Sequence, residues 1–236
     1  MRKYIFVLSV LALSYTIGFS QPKTNIKKNN LEFSTGYNFG FLKNLSFAPV
    51  ARYNYNGLNH QLKYRRTSKK ENLFEIQLEY LSSELKSDII PALNADYSKI
   101  VINFSYLKRV YNKNKFAIHA GLQSQTNLSS YLQQGPYDFQ QKFGVASRFT
   151  FQIDEKQSLS SKLTIPFFMW RISTFEETVY SLNSYQSVLW STEYKYALSN
   201  HFDVKVNYNF NYDRLQISNA FRELQYQLNL GLNIKF

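Results

Sequence analysis

The last thirteen residues alternate without a break: Leu224, Tyr226, Leu228, Leu230, Leu232, Ile234 and Phe236 share one parity, and Gln225, Gln227, Asn229, Gly231, Asn233 and Lys235 the other. A period of two over that length is a strand with one apolar face, because on a helix the same positions would wind around the axis. Its length is equally telling. Globular strands average about five or six residues, whereas a tilted strand crossing a bilayer needs about 9–11. The pattern therefore predicts a membrane-crossing strand.

The set Tyr226, Leu228, Leu230, Leu232, Ile234 and Phe236, closed by a terminal phenylalanine, resembles the assembly signal of bacterial outer-membrane β-barrels. That resemblance implies recognition by the barrel-assembly machinery and a place in the outer membrane. The start of the chain agrees. Arg2 and Lys3 precede an apolar run from Tyr4 to Leu13 that continues to Phe19, and Gly18 and Ser20 put small residues before Gln21. We read residues 1–20 as a signal peptide, 21–30 as a flexible lead-in without periodicity, and 31–236 as one barrel domain.

Beyond Gln21 no stretch approaches the roughly 20 apolar residues of a spanning helix. A hydrophobic content of 44% and a mean hydropathy of −0.38 fit apolar residues dispersed by alternation, which is how a barrel carries its lipid face. With no cysteine, neither a disulfide scaffold nor a thiolate metal site is possible, and no cofactor or metal is expected. The net charge is +12, or +10 once Arg2 and Lys3 are removed. The basic residues stand singly on strands and in turns without a basic helix, which argues against nucleic acid and favours lipopolysaccharide phosphates as the anionic partner.

Ten one-sided segments follow one another, so the predicted fold is all-β: a transmembrane, antiparallel, up-and-down β-barrel of ten strands. Counts of eight or twelve follow if the Gly57 or Pro166 regions are read otherwise. Outward sets include Leu31 to Phe41, Phe74 to Tyr80, Ile100 to Tyr106, Phe116 to Leu122 and Phe202 to Tyr212, each at every second position. In the second strand Tyr53 and Tyr55 give way to Leu58, His60, Leu62 and Tyr64, a change of parity that predicts a bulge at Asn56-Gly57. In the seventh, Leu159, Leu163, Ile165, Phe167 and Met169 read as outward, with Pro166 demanding a bulge or an early end. Connections alternate as a barrel with both termini periplasmic requires. Thr67–Asn72, Asn112–Lys115, Asp154–Gln157 and Ser199–His201 are short, while Ser83–Asp96, Thr126–Gln140 and Arg171–Ser184 are long and are expected outside.

The inward parity collects Glu32, Lys63, Arg65, Glu75, Glu79, Arg109, Arg148, Lys162, Glu193, Lys195, Asp203 and Lys205, a mixed-sign set that would pair across a narrow lumen. Lys43, Arg52, Lys99, Lys142, Arg171, Arg214 and Arg222 fall near the outer strand ends, where lipopolysaccharide phosphates would meet them. Aromatic residues in the outer loops, such as Tyr131, Tyr137, Phe175 and Tyr180, suit a recognition surface or a membrane girdle.

Two families of barrel enzyme offer a test. The omptin proteases share the ten-strand count and use acidic residues and a histidine near the outer rim; lipid A deacylases set a histidine beside a serine. Here His119 is expected near the periplasmic side, His60 is followed by Gln61, His201 sits in a turn, and none neighbours the outer acidic residues Asp88, Asp96, Asp138, Glu176 and Glu177. No catalytic residue is therefore assigned. The Ser-Gln junction and the abundance of Asn, Lys and Tyr resemble small outer-membrane barrels of the Bacteroidota, which implies an accessory role in a larger outer-membrane protein complex. The expected role is structural or surface-binding with a plugged polar lumen; a narrow pore and a lipid- or peptide-processing enzyme are the alternatives.

Overall fold

The computed structural model describes residues 28–45, 52–87, 89–131, 137–173, 176–216 and 220–236. Residues 1–20, expected to be a signal peptide, the expected lead-in up to residue 27, Asp88 and Phe175 lie outside them. Strands run β1 Asn29–Asn44, β2 Tyr53–Thr67, β3 Leu73–Lys86, β4 Ala95–Lys113, β5 Phe116–Tyr131, β6 Tyr137–Gln152, β7 Gln157–Ser173, β8 Glu176–Ser181, β9 Tyr185–Ala197, β10 Phe202–Leu215 and β11 Phe221–Lys235. A 3-10 turn, Pro91–Leu93, lies between β3 and β4.

Each strand is hydrogen-bonded antiparallel to its neighbours, and the ring closes between the first and last strands with unbroken register from Asn30↔Lys235 to Asn44↔Phe221. Ten strands form the wall. The short β8 pairs only with the upper part of β7. At the seam Asn29 and Phe236 exchange two backbone hydrogen bonds of 3.0 Å, so both ends of the barrel chain meet at one rim. Closure pairs the first wall strand with the last, as a backbone in hydrocarbon requires.

Four tight connections share that rim, and the longer ones lie at the other. Two of the tight turns use left-handed residues, Glu71 (φ 60°) and Asn114 (φ 53°). Asparagine tolerates this conformation; Glu71 is held in it by the Glu71 N–H bond to Ser68 O (2.9 Å) and by contacts from its side chain to Asn112 and Arg109. Strands of 13 to 19 residues exceed the span of the bilayer and carry the wall well beyond it on the long-loop side.

The outer surface is apolar around the ring. Leu78, Ile102, Val145, Ile165, Leu228 and Leu230 are all exposed, the last to 63%. Water-facing walls do not present such a belt; hydrocarbon is the solvent that satisfies it. The outward parity read from β11 holds for Leu228 to Ile234.

Two local readings are corrected. Register through β2 is continuous on both sides, and Tyr53 and Tyr55 point inward and are buried. Gly57 marks a close approach rather than a bulge: a Cβ there would lie 2.0 Å from the Ser82 carbonyl oxygen. The bulge belongs to β7. There the register against β6 shifts between Phe143 and Gly144, leaving Phe167 unpaired, and β7 passes from β9, its partner up to Thr164, to β8 from Phe168 onward. Pro166 occupies this interval, where no N–H is owed to β9. Parity reverses across it, so Met169 faces the lumen and is fully buried, not outward as the simple alternation implied.

Candidate functional site

The lumen divides into three layers, each set by which inward positions the strands supply. Nearest the short turns, Glu75 of β3 and Glu193 of β9 act as hubs. Arg65 Nε donates to Glu75 Oε1 at 2.5 Å, and Arg148 bridges the hubs, from Nη1 to Glu75 Oε1 and from Nη2 to Glu193 Oε1, both at 3.1 Å. Lys162 Nζ donates to Glu75 Oε2 (3.0 Å) and Ser105 Oγ (2.9 Å). Lys205 bonds Glu32 and, at 3.0 Å, Glu193 Oε2; Lys195 and Lys63 approach Glu193 at 3.2 and 3.4 Å. Charges this deeply buried cost several kcal/mol each when unpaired, so the shared carboxylates are what makes the layer tolerable.

Most of the inward set read from sequence is thus brought together. Asp203 stands slightly apart at the short-turn mouth, where it accepts from Lys235 (2.6 Å) and Asn233 (2.8 Å). Arg109 is a correction. β4 is irregular between Arg109 and Tyr111, and Arg109 lies exposed at the mouth, paired with Glu71 of the turn below β3 instead of with the lumen network.

The middle layer is built of amides. Glu79 meets no cation within salt-bridge distance among the described residues; it accepts from Gln61 Nε2 at 3.2 Å and from Gln227. Asn209 Nδ2 donates to Gln227 Oε1 and Asn229 Nδ2 to Asn207 Oδ1, each at 2.8 Å. Beside them lies a polar cavity of about 70 Å³, whose wall includes Lys63, Arg148 and Lys162 from the layer below and Gln77, Gln123 and Gln125 around it.

The third layer, toward the long loops, corrects the rim. Lys99, Lys142 and Arg171 do not face lipid headgroups; they are buried in the lumen on Glu223 (2.7 Å), Asp213 (2.7 Å) and Asp138 (2.6 Å). The strands continue past the level at which the apolar pattern stops, so positions that look like strand ends are still inside the wall, and the β7 bulge turns Arg171 inward. Asp138 is accordingly a lumen residue, not a loop carboxylate. Around the pairs packs a cluster that includes Leu42, Leu81, Leu85, Tyr97, Tyr131 and Met169. Tyr55, Tyr97 and Tyr131 follow one another at ring separations of 5.5 Å. Their hydroxyls are used: Tyr55 and Tyr97 donate to Glu223 Oε1, and Tyr185 donates to Asp213 Oδ1 at 2.5 Å. Asp213, Glu223 and these tyrosines escaped the sequence reading, yet strict parity carried outward from Asp203 along β10, or from Asn233 along β11, places both acids inside.

The other four rim residues do converge, on the outer wall. Lys43 and Arg214 each stand opposite Arg222 on adjoining strands, and Arg52 and Arg222 lie over the Phe41 ring at 4.7 and 5.3 Å. Among the described residues none of the four has a carboxylate within salt-bridge distance. An open groove of about 420 Å³ adjoins them, floored by Phe39, Phe41, Leu224 and Tyr226.

The three histidines are scattered. His119 is buried low in the lumen with Nε2 at 3.0 Å from the Glu71 carbonyl, His60 faces outward with Nδ1 at 2.9 Å from Thr35 Oγ1, and His201 is exposed beside a short turn. The geometry assembles no histidine with Asp138 or Asp213, both of which are held by cations.

No protein-family model matches the chain, and no curated protein matches it in sequence. Among solved structures the chain is similar to the outer-membrane protease OmpT from Escherichia coli, with a TM-score of 0.57 and 9% identity over 94% of this chain and 100% of that one. It is also similar to an outer-membrane channel from Pseudomonas putida F1, with a TM-score of 0.51 and 8% identity over 92% of this chain and 100% of that one. This is the outer-membrane β-barrel fold. At such identities the likeness is one of architecture, and a protease and a channel sharing it leave the role to be argued from the lumen and the wall.

Proposed function

We propose that the protein is a closed outer-membrane barrel, exported by its N-terminal signal peptide, that acts as a structural or binding component at the cell surface and not as a porin or an enzyme. The observation that carries this reading is the filled lumen: an ion network below and a tyrosine-leucine layer above each obstruct the bore independently. Ten strands make a barrel only slightly wider than the eight-strand size that side chains just fill, which supports the same reading. Orientation follows from the fold class, with the short turns in the periplasm and the extended strand ends outside. In that setting the upper strands offer a surface for a partner in a larger outer-membrane complex, the accessory role implied by the resemblance to Bacteroidota barrels. Mild-detergent affinity purification from native membranes tests it: a stoichiometric outer-membrane partner is expected, and recovery of the barrel alone would leave a self-sufficient structural role.

A second observation favours lipopolysaccharide as the surface ligand. Like charges facing each other across strands repel, so the Lys43–Arg222–Arg214 row calls for an external anion, and the neighbouring apolar groove suits an acyl chain. The proposal retains only these residues and Arg52 from the wider basic ring. Replacing Arg52 and Arg222 with alanine should reduce co-purified lipopolysaccharide without changing the folded yield.

A further inference from the structure

We infer that the lumen cavity next to Lys63 is a binding site for one small inorganic anion, of chloride to phosphate size. The lower network holds six cations against three carboxylates, since Lys63, Arg65, Arg148, Lys162, Lys195 and Lys205 share Glu32, Glu75 and Glu193. Adding Glu79 from the layer above still leaves two positive charges in excess. In a buried, low-dielectric setting such a surplus is not screened by bulk water, and it is relieved either by proton loss or by a bound anion.

Three features favour the anion. The surplus borders real space: Lys63, Arg148 and Lys162 line the cavity, and its roughly 70 Å³ accommodates several waters or a single tetrahedral oxyanion. Donor capacity is also left over. Among the described residues Lys63 has one polar contact, the 3.4 Å approach to Glu193, and in the same layer Arg65 Nη2 is buried without a hydrogen bond, 3.6 Å from Glu193. Finally, the cavity is also lined by the amides of Gln77, which pairs with Lys63 across β2 and β3, and of Gln123 and Gln125, which can turn N–H groups toward an anion. The upper pairs, Lys99–Glu223, Lys142–Asp213 and Arg171–Asp138, are balanced one to one and create no such demand.

The test is thermal unfolding of the folded protein in detergent at constant ionic strength, exchanging sodium gluconate, whose anion is too large for the cavity, for sodium chloride or sodium phosphate. A saturable upward shift of the midpoint is expected with at least one of the two, and the preferred ion reports whether the occupant is monatomic or an oxyanion. Lys63→Gln should abolish the shift while remaining at least as stable as the wild type in gluconate, because it removes repulsion that nothing else neutralises. A purely structural lysine would instead lower the midpoint equally in every salt, and that result, or no anion-dependent shift, overturns the proposal. Crystals soaked in bromide and, separately, in arsenate decide the matter without a variant: an anomalous peak in the cavity near Lys63 Nζ with either ion supports the site, and a cavity empty with both refutes it.

Discussion

The Arg171 guanidinium grips the Asp138 carboxylate through two nitrogens, Nε at 3.0 Å and Nη2 at 2.6 Å, deep inside the barrel wall between β6 and β7. Asn44 joins the pair, accepting from Arg171 Nη2 at 3.0 Å and donating to Asp138 Oδ2 at 3.0 Å, while the guanidinium lies 4.7 Å from the Phe221 ring centre. The first and last strands are thereby tied to the far wall, and a bulge four residues away decides whether the tie exists.

Removing one partner of such a pair strands a buried charge. Asp138→Ala should cost about 3–5 kcal/mol, whereas the double change Asp138→Leu with Arg171→Met should recover much of it. Equilibrium unfolding of the refolded protein measures both, and an Asp138→Ala loss below about 1 kcal/mol would mean that the pair is solvated.

The bulge at Phe167 makes a sharper prediction. Deleting Phe167 removes the extra residue, so plain alternation from Pro166 still turns Met169 and Arg171 inward and the heat-modifiable folded form should survive, whereas inserting one alanine after Phe168 turns both outward and should abolish it. Pro166→Ala keeps the bulge and should fold normally. A folded insertion variant with Arg171 still shielded from solvent would show that the facing of upper β7 is set elsewhere.

Facing lower in the wall is tested in β3. Leu78 lies on the lipid belt, where an arginine costs about 2–4 kcal/mol near the midplane, while Gln77 borders the cation-rich cavity. Leu78→Arg should therefore depress refolding into bilayers far more than Gln77→Glu, which adds a carboxylate where positive charge is in surplus. Equal costs would contradict the assigned facing.

Why some of this was legible and some was not has a physical basis. Alternation reports which solvent each face meets, and between the lipid belt and the polar lumen that contrast is sharp, so Leu228, Leu230, Glu75 and Arg148 were placed correctly from the chain alone. Above the belt both faces meet polar or mixed surroundings and the contrast fades. There Lys99 and Lys142 kept the inward parity of their strands but looked like rim residues, and Tyr53 and Tyr55 kept it too but looked like an outward pair before a bulge, because lysine and tyrosine are at home in either place. Arg171 could not be placed without locating the bulge, since one unpaired residue exchanges the two faces. The convergence of Lys43, Arg52, Arg214 and Arg222 needed the closing register of the first and last strands.

Assembly is probed at Phe236, whose backbone N–H closes the ring on Asn29 and whose side chain ends the outward row of β11. Phe236→Asp should slow folding by the assembly machinery and leave the chain open to periplasmic proteases, read as reduced folded protein in outer-membrane fractions. Wild-type levels would argue that the terminal residue carries no signal.

Conductance distinguishes one plug from two. If the lower ion network alone sealed the bore, replacing Glu75, Glu79, Arg148 and Lys162 with alanine would open a leak, with net charge unchanged because two groups of each sign are lost. The upper layer of Tyr97, Tyr131 and their neighbours is packed independently, through ring contacts and the Glu223 and Asp138 bonds, so it should still hold. We therefore expect no stable openings in planar bilayers from the wild type or from the fourfold variant. Steady leak should arise only when Tyr97→Ala and Tyr131→Ala are added, provided the combined variant retains the folded form on gels. Large openings in the unmodified protein would overturn the closed-barrel reading, and leak from the fourfold variant alone would show that the tyrosine layer is not a seal.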